Sequence, residues 1–344
     1  MKRLIGLIVT LSLIAGTVVF AEGVSEEESE EWSPNRPIEI VVPWGAGGST
    51  DQTVRPLAAE LEEHLDQSVV VVNTPGATGS VGTAEVLNGR KDGYTWASGA
   101  AKDLGTYRVR DLLETDLDDW VLFLTMAQVN VVSVNVDEPY EDFGELLEAF
   151  DERPGEIDVG TAGVGSAGHT AIELINKYRS IDFTEVTYDG GAPAVTATVA
   201  GEVPVTSQLA SEQVDMIRGG ELRPLAVLAD EPLELEGGEE IPPITEWIPE
   251  FEPAPTYFGV FVPADVPENV INTLGRIWDE ELEDSERLQE LATEMASIYD
   301  PMWGEEAYEA AFPMVQIDAW LAHEMGDTVM PPDEAGIPEP DSGE

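Results

Sequence analysis

The part of this chain best suited to chemistry is a backbone turn rather than a set of reactive side chains. Val42-Pro43-Trp44-Gly45-Ala46-Gly47-Gly48-Ser49-Thr50-Asp51 follows the apolar, β-branched run Ile38-Glu39-Ile40-Val41. It precedes Val54-Arg55-Pro56-Leu57-Ala58-Ala59-Glu60-Leu61, where apolar residues recur at helical spacing. The order is strand, glycine turn, helix start. Three glycines free the turn to take positive φ and to aim successive N–H groups into one concavity. The helix adds unpaired N–H groups and the positive end of its dipole. Such a cup binds an anion without any basic side chain.

Two further turns have this form. Ser68–Asn73 (SVVVVN) reads as a strand buried on both faces by its continuous apolar run. It leads into Asn73-Thr74-Pro75-Gly76-Ala77-Thr78-Gly79-Ser80-Val81-Gly82. Turns at the carboxyl ends of successive parallel strands should lie side by side, where open α/β sheets bind ligands. Later, Ile157-Asp158-Val159-Gly160-Thr161-Ala162-Gly163-Val164-Gly165-Ser166-Ala167-Gly168-His169 repeats strand, glycine turn and helix. Its segment Gly163–Gly168 matches the dinucleotide pattern G-x-G-x-x-G. It does not open a long βαβαβ run, and the simpler reading is a tight turn in which Ser166 caps the next helix.

Enzymatic signatures are lacking. No lysine follows a glycine loop as a P-loop requires, and Val164 stands where a nucleophile elbow needs its first glycine. There is no cysteine, so thiolate nucleophiles and cysteine metal sites are excluded. EF-hand and zinc-helix patterns are also missing, and no metal or cofactor is expected. Of the three histidines, His64 lies on an acidic helix face and His323 in a C-terminal helix. His169 alone follows a glycine cup, where it could face an anionic ligand or serve the fold. With 69 acidic residues, a chance pair of carboxylates carries no information about glycosidase chemistry.

The net charge of −53 is spread along the whole chain, while 42% of residues are hydrophobic. A packed body with an acidic, solvated coat fits these values better than disorder. Such a coat suits high salt, where the screening length falls to about 3 Å at 1 M. It excludes nucleic acid as a partner. Residues 1–21 read as a secretory signal: Lys2 and Arg3, an apolar run from Leu4 to Val19, then Val19-Phe20-Ala21 as a small-residue processing site. No cysteine follows to take a lipid anchor, so an extracytoplasmic, unanchored protein is expected. Residues 22–35 read as a disordered acidic leader.

The positioning elements follow in order. A helix to about Leu65 carries Pro56 near its start. A short helix (Thr83–Leu87) and a strand (Tyr94–Ser98) come next. Trp120–Val136 reads as one or two strands crossing between lobes. A helix at Asp142–Phe150 precedes the third glycine turn, and Ala171, Leu174, Ile175 and Tyr178 form the buried stripe of the helix behind it. Strands are expected at Phe183–Thr187, Val203–Ser207 and Pro224–Leu228, with helices at Ala192–Ala200 and Glu212–Arg218. Tyr257–Val262 returns to the first lobe. Two helices finish the fold, one marked by Val270, Ile271, Leu274, Ile277 and Trp278 and one at Glu305–Glu324. The expected division is a first lobe of 36–135 with 256–330, a second lobe of 136–255, and a loose acidic tail of 331–344.

Seven blocks in order resemble one family, the receptors of tripartite tricarboxylate transporters, also called Bug receptors. They are PNRPIEIVVPWGAGGSTD (34–51), VVVVNTPGATGSVGTAEV (69–86), DGYTWASG (92–99), IDVGTAGVGSAGHTAIEL (157–174), VTYDGGAPAVTATVAGEV (186–203), LRPLAVLAD (222–230) and TYFGVFVPADVPENVINTL (256–274). The resemblance implies a two-lobed α/β fold of the periplasmic-binding-protein (venus flytrap) kind, with a small carboxylate in the cleft between the lobes. It implies a membrane permease as partner, and a monomer is expected. A sensory protein serving a membrane kinase would use the same site. By the same resemblance, Trp44, Gly45, Ala46, Gly47, Gly48, Ser49 and Thr50, with Pro75, Gly76, Ala77, Thr78 and Gly79, hold one end of the ligand. Ala162, Gly163, Val164, Gly165, Ser166 and His169 hold the other, and Tyr188, Asp189 and Gly190 border the cleft. Pro204 departs from the family, which often has Asp there. None of the three glycine turns contains a basic residue, so backbone N–H groups, hydroxyls and helix ends must hold the anion.

Overall fold

A computed structural model describes residues 31–237 and 240–340; the signal segment and most of the acidic leader lie outside them. The chain begins with two βα units: β1 (Ile38–Val42), α1 (Ser49–Leu65), β2 (Val69–Asn73) and α2 (Ser80–Leu87). β3 (Thr95–Ala100), α3 (Ala101–Thr106) and β4 (Trp120–Gln128) follow. The chain then changes sheet at Val129. β5 (Asn130–Asn135), expected within the first lobe, is hydrogen-bonded into the second sheet. The second lobe contains α4 (Phe143–Glu152), β6 (Asp158–Thr161), α5 (Ala167–Arg179), β7 (Thr184–Thr187) and α6 (Gly191–Val199). It continues with β8 (Val205–Leu209), α7 (Ala210–Arg218), β9 (Leu222–Val227) and the two-residue strands β10 (Leu233–Glu234) and β11 (Glu240–Ile241). The return comprises β12 (Thr256–Pro263), α8 (Glu268–Ile277), α9 (Glu286–Glu294), β13 (Ile298–Trp303) and α10 (Gly304–Met325).

Both sheets share one plan. The first has the order β13-β4-β12-β3-β1-β2 and the second β7-β6-β8-β5-β9. In each, parallel βα strands lie at one side, and one strand, β12 in the first sheet and β5 in the second, pairs antiparallel beside them. β1 shows the period of two expected of a central strand. Ile38, Ile40 and Val42 pack with Val54, Leu57 and Leu61 of α1 and with Val270 and Leu274 of α8. Val41 points to the opposite face, toward Leu104, Tyr107, Ala311 and Val315. In the second lobe, Val159 packs with Ile172 and Ile175 of α5 and with Phe143 and Leu147 of α4. α10 serves both lobes: Ala307, Ala311 and Val315 join the first core, and Leu321 joins the second.

Four expectations need correction. β2 is an edge strand, paired among the described residues with β1 alone, and Val70 (46%) and Val72 (37%) are exposed on one of its faces. An apolar, β-branched run suits an edge as well as a centre, so the run alone did not locate the strand. The end of the leader is ordered: Trp32 N–H donates to Thr273 Oγ1 at 2.9 Å, and its ring meets Tyr94 edge-on. α9 and β13 intervene between the two final helices. Pro301 is tolerated in β13 because the strand lies at the edge of its sheet. The tail from Pro331 is packed as far as the description runs, with Ile337 buried and its carbonyl accepting from Trp320 Nε1 at 3.1 Å.

Gly168, the last glycine of the G-x-G-x-x-G pattern, is a packing residue. A Cβ there would lie 2.0 Å from the Ser207 carbonyl of β8. Gly168→Ala should therefore push α5 away from β8 and destabilise the fold by about 1–3 kcal/mol. Chemical denaturation in molar salt checks this; an unchanged midpoint would contradict the close approach.

Candidate functional site

The two lobes touch across a cleft that contains a partly open cavity of about 120 Å³. Five helix starts face it. α1 contributes Gly48, Ser49 and Thr50, α5 contributes Ser166 and Ala167, and α6 contributes Gly190, Gly191 and Ala192. Lys102 and Asp103 belong to the start of α3, and Leu209 and Glu212 to that of α7. Trp44, Gly45, Ala46, Ala162 and Asp189 complete the polar and loop side of the wall, and Ala100 and Phe258 add apolar surface.

Local sequence explains the loops. Of the three glycines in the first turn, only Gly47 has positive φ (+84°); Gly48 is extended and leads directly into α1. The turn is pinned by Asp51, which accepts from Gly47 N–H at 3.0 Å and pairs with Arg55 at 2.8 Å. Burial raises the Asp51 pKa, but hydrogen bonds from Arg55, Gly47 and Asn73 outweigh this and leave it below the usual range. The third turn has positive φ at Gly163 (+96°) and Gly165 (+81°). Ser166 Oγ caps α5 by accepting from His169 N–H at 3.2 Å, as the sequence suggested.

The expected site residues divide into two groups. Trp44, Gly45, Ala46, Gly48, Ser49, Thr50, Ala162, Ser166, Asp189 and Gly190 line the cavity. Gly47, Pro75, Gly76, Ala77, Thr78, Gly79, Gly163, Val164, Gly165, His169 and Tyr188 are not on its wall. The Pro75–Gly79 turn does lie beside the first turn, with Gly79 against Trp44 and Tyr107. It meets the second lobe at the rim, where Thr78 Oγ1 donates to the Val164 carbonyl at 3.3 Å. His169 is buried, and its Nδ1 accepts from Gly165 N–H at 3.3 Å, so it holds the turn from behind.

Three polar groups on or beside the cavity escaped sequence reading: Lys102, Glu212, and the Ser211–Gln128 pair that bonds to Ser49. Lys102 is 2% exposed. Its Nζ donates to Asp103 Oδ1 at 2.9 Å, to Asp318 Oδ2 at 3.3 Å and to the Gly165 carbonyl of the second lobe at 3.0 Å. Asp318, on α10, also accepts from Thr170 of the second lobe and lies 3.5 Å from Arg110. Burial works against the charge on Lys102, but Asp103 and Asp318 prevail and hold its pKa above the usual value. A cation therefore lines the cavity, yet its partners come from within the chain. Ser49 Oγ bonds to Gln128 and lies 3.0 Å from Ser211 Oγ, tying α1 to α7. Glu212 is half-buried and reaches across the cleft, where Oε1 accepts from Ser49 N–H at 3.5 Å. Burial pushes its pKa up to about 7, against the opposing pull of the Ser49 and Leu209 N–H groups. Apolar residues at three- and four-residue spacing signal helices, not which polar residue at a helix start will face a cleft from the other lobe.

The fold and cleft define a two-lobed solute-binding protein. The family model for the tripartite tricarboxylate transporter family receptor matches residues 53–298, and the chain belongs to that family. It is 33% identical over 248 residues to the "UPF0065 protein in tcbD-tcbE intergenic region" of a Pseudomonas species, covering 70% of this chain and 72% of that one. It is 29% identical over 292 residues to Protein BugT of Bordetella pertussis, covering 83% and 89%. Among solved structures, one from R. palustris described with adipate is similar at 26% identity and TM-score 0.76, over 85% of this chain and 98% of that one. A solute-binding protein from Polaromonas is similar at 28% identity and TM-score 0.65, over 85% and 99%.

Two outcomes follow from these electrostatics. Glu212 has a raised folded pKa, so its contribution to stability is fully present below about pH 4.5 and is lost as pH rises through about 7. Glu212→Gln should remove this loss, so the variant gains stability over the parent between about pH 5 and 8, by up to about 3 kcal/mol. Thermal midpoints of both proteins across that range check it, and parallel curves would contradict it. Lys102→Met should cost about 3–5 kcal/mol by leaving two buried carboxylates without their ammonium. A loss below about 1 kcal/mol in denaturant titration would show the charge cluster to be solvated.

Proposed function

We propose that this chain is an extracytoplasmic receptor that captures a small organic carboxylate between its lobes and presents it to the permease of a tripartite tricarboxylate transporter. The observation that carries the reading is the convergence of the α1, α5 and α6 starts on one cleft cavity. Helix starts supply N–H groups and the positive ends of dipoles, and they favour an anion without a free cation. The cavity has room for on the order of ten water-sized units. This fits a compact acid, and the similarity to an R. palustris protein described with adipate supports the same class. The secretory reading of residues 1–21 supports action outside the cytoplasm, and no helix among the described residues is long and apolar enough to cross a membrane. The chain acts as a monomer that binds and releases its ligand unchanged.

Charge-assisted hydrogen bonds from backbone N–H groups contribute about 1.5–3 kcal/mol each, so a handful supports micromolar affinity after the cost of association. Thermal shift in molar salt with di- and tricarboxylates, amino acids and aromatic acids tests the reading. A ligand at about a hundred times its dissociation constant should add about 2.7 kcal/mol of stability. A midpoint unmoved by every organic acid would contradict it.

A further inference from the structure

The charges around the cavity do not suit a plain dianion. Its lining carries three carboxylates (Asp103, Asp189 and Glu212) and one ammonium, Lys102. Lys102 is ion-paired to Asp103 and Asp318. The other cation near the first turn, Arg55, is paired to Asp51 and stands outside the lining. No ion pair to Glu212 or Asp189 is found among the described residues. Glu212 is wedged into the cleft. Its Oε1 takes the Ser49 N–H of the first lobe, and its Oε2 lies so close to Gly191 that a Cβ there would sit 2.0 Å away. The α1 start thus already faces a carboxylate from within the chain.

We propose that Glu212 is a specificity-determining residue that selects a zwitterion, a ligand whose ammonium group meets Glu212 while its carboxylate is held by the start of α5. This rests on the carboxylate-receptor reading and narrows it. The start of α5 is open to a ligand carboxylate, whereas Glu212 already lies against Gly191 at the start of α6. Ser166 Oγ, which caps α5, leaves the Ala167 end of that helix on the cavity wall. A second ligand carboxylate would instead approach Glu212 and Asp189 with no countercharge between them, and like charges brought together in a cleft repel. An ammonium reverses the sign of that contact and forms a charge-assisted hydrogen bond. It also removes the long-range penalty that a chain of net charge −53 imposes on an approaching dianion.

The experiment is calorimetric titration in molar salt at about pH 8, where Glu212 is ionised. Amino acids are compared with dicarboxylates of matched chain length, using the parent protein and Glu212→Gln. The parent should bind the best amino acid at least about ten-fold more tightly than the matched dicarboxylate, and the variant should lose most of that preference. Circular dichroism and the thermal midpoint confirm that the variant is folded. Dicarboxylates binding as tightly as amino acids, or a preference unchanged in Glu212→Gln, overturns the role of Glu212 and leaves the receptor reading standing. Binding of neither series, with response only to a different class of solute, overturns the receptor reading and this inference with it.

Discussion

One buried charge shapes the cleft. Lys102 places an ammonium where only 2% of the residue is exposed, and a charge so enclosed must be paired and hydrogen-bonded. Its partners come from three places: Asp103 beside it on α3, Asp318 on α10, and the Gly165 carbonyl of the second lobe. The second lobe reinforces the arrangement through Thr170, which donates to the same Asp318. One side of the cleft is therefore fixed by a network that no ligand needs to complete. The one cation on the cavity wall is satisfied before a ligand arrives, and recognition passes to backbone dipoles and to the carboxylates that remain.

That division fits the rest of the molecule. An acidic coat of this density repels anions at long range, and salt shortens that repulsion to a few ångströms. Inside the cleft, attraction is supplied by N–H groups at helix starts, which depend on geometry rather than on net charge. The first lobe holds its turn with Asp51, Arg55 and Asn73, and the second holds its own with His169 and Ser166. These side chains direct their hydrogen bonds to the loops themselves. At the rim, Thr78 and Val164 meet, and near the cavity Ser49, Ser211 and Gln128 join the two lobes.

Much of this architecture was legible in the chain. Strand, glycine turn and helix recur with clear periodicity at 38–65 and 157–179, and the structure places both turns at the cleft. The helix behind the third turn buries Ala171, Leu174 and Ile175 as its spacing implied, while Tyr178, expected in the same stripe, is only half-buried against that core. Reading failed where a residue's role depends on a distant partner. Val70 and Val72 looked central because hydrophobicity does not reveal whether a neighbouring strand exists. Lys102 and Glu212 lie outside the glycine turns, so no motif marked them; one is defined by α10, more than two hundred positions away, and the other by the opposite lobe. His169 had the right place in sequence to face a ligand, but Gly165 takes its ring nitrogen from behind.

The most direct measurement is a crystal structure of the protein with a bound organic acid. The account predicts the ligand carboxylate within hydrogen-bond distance of backbone N–H groups at the helix starts that line the cleft, while Lys102 keeps its contacts with Asp103 and Asp318. A ligand carboxylate paired directly with Lys102 or Arg110, with Asp318 released, would contradict the claim that backbone dipoles rather than side-chain cations hold the anion.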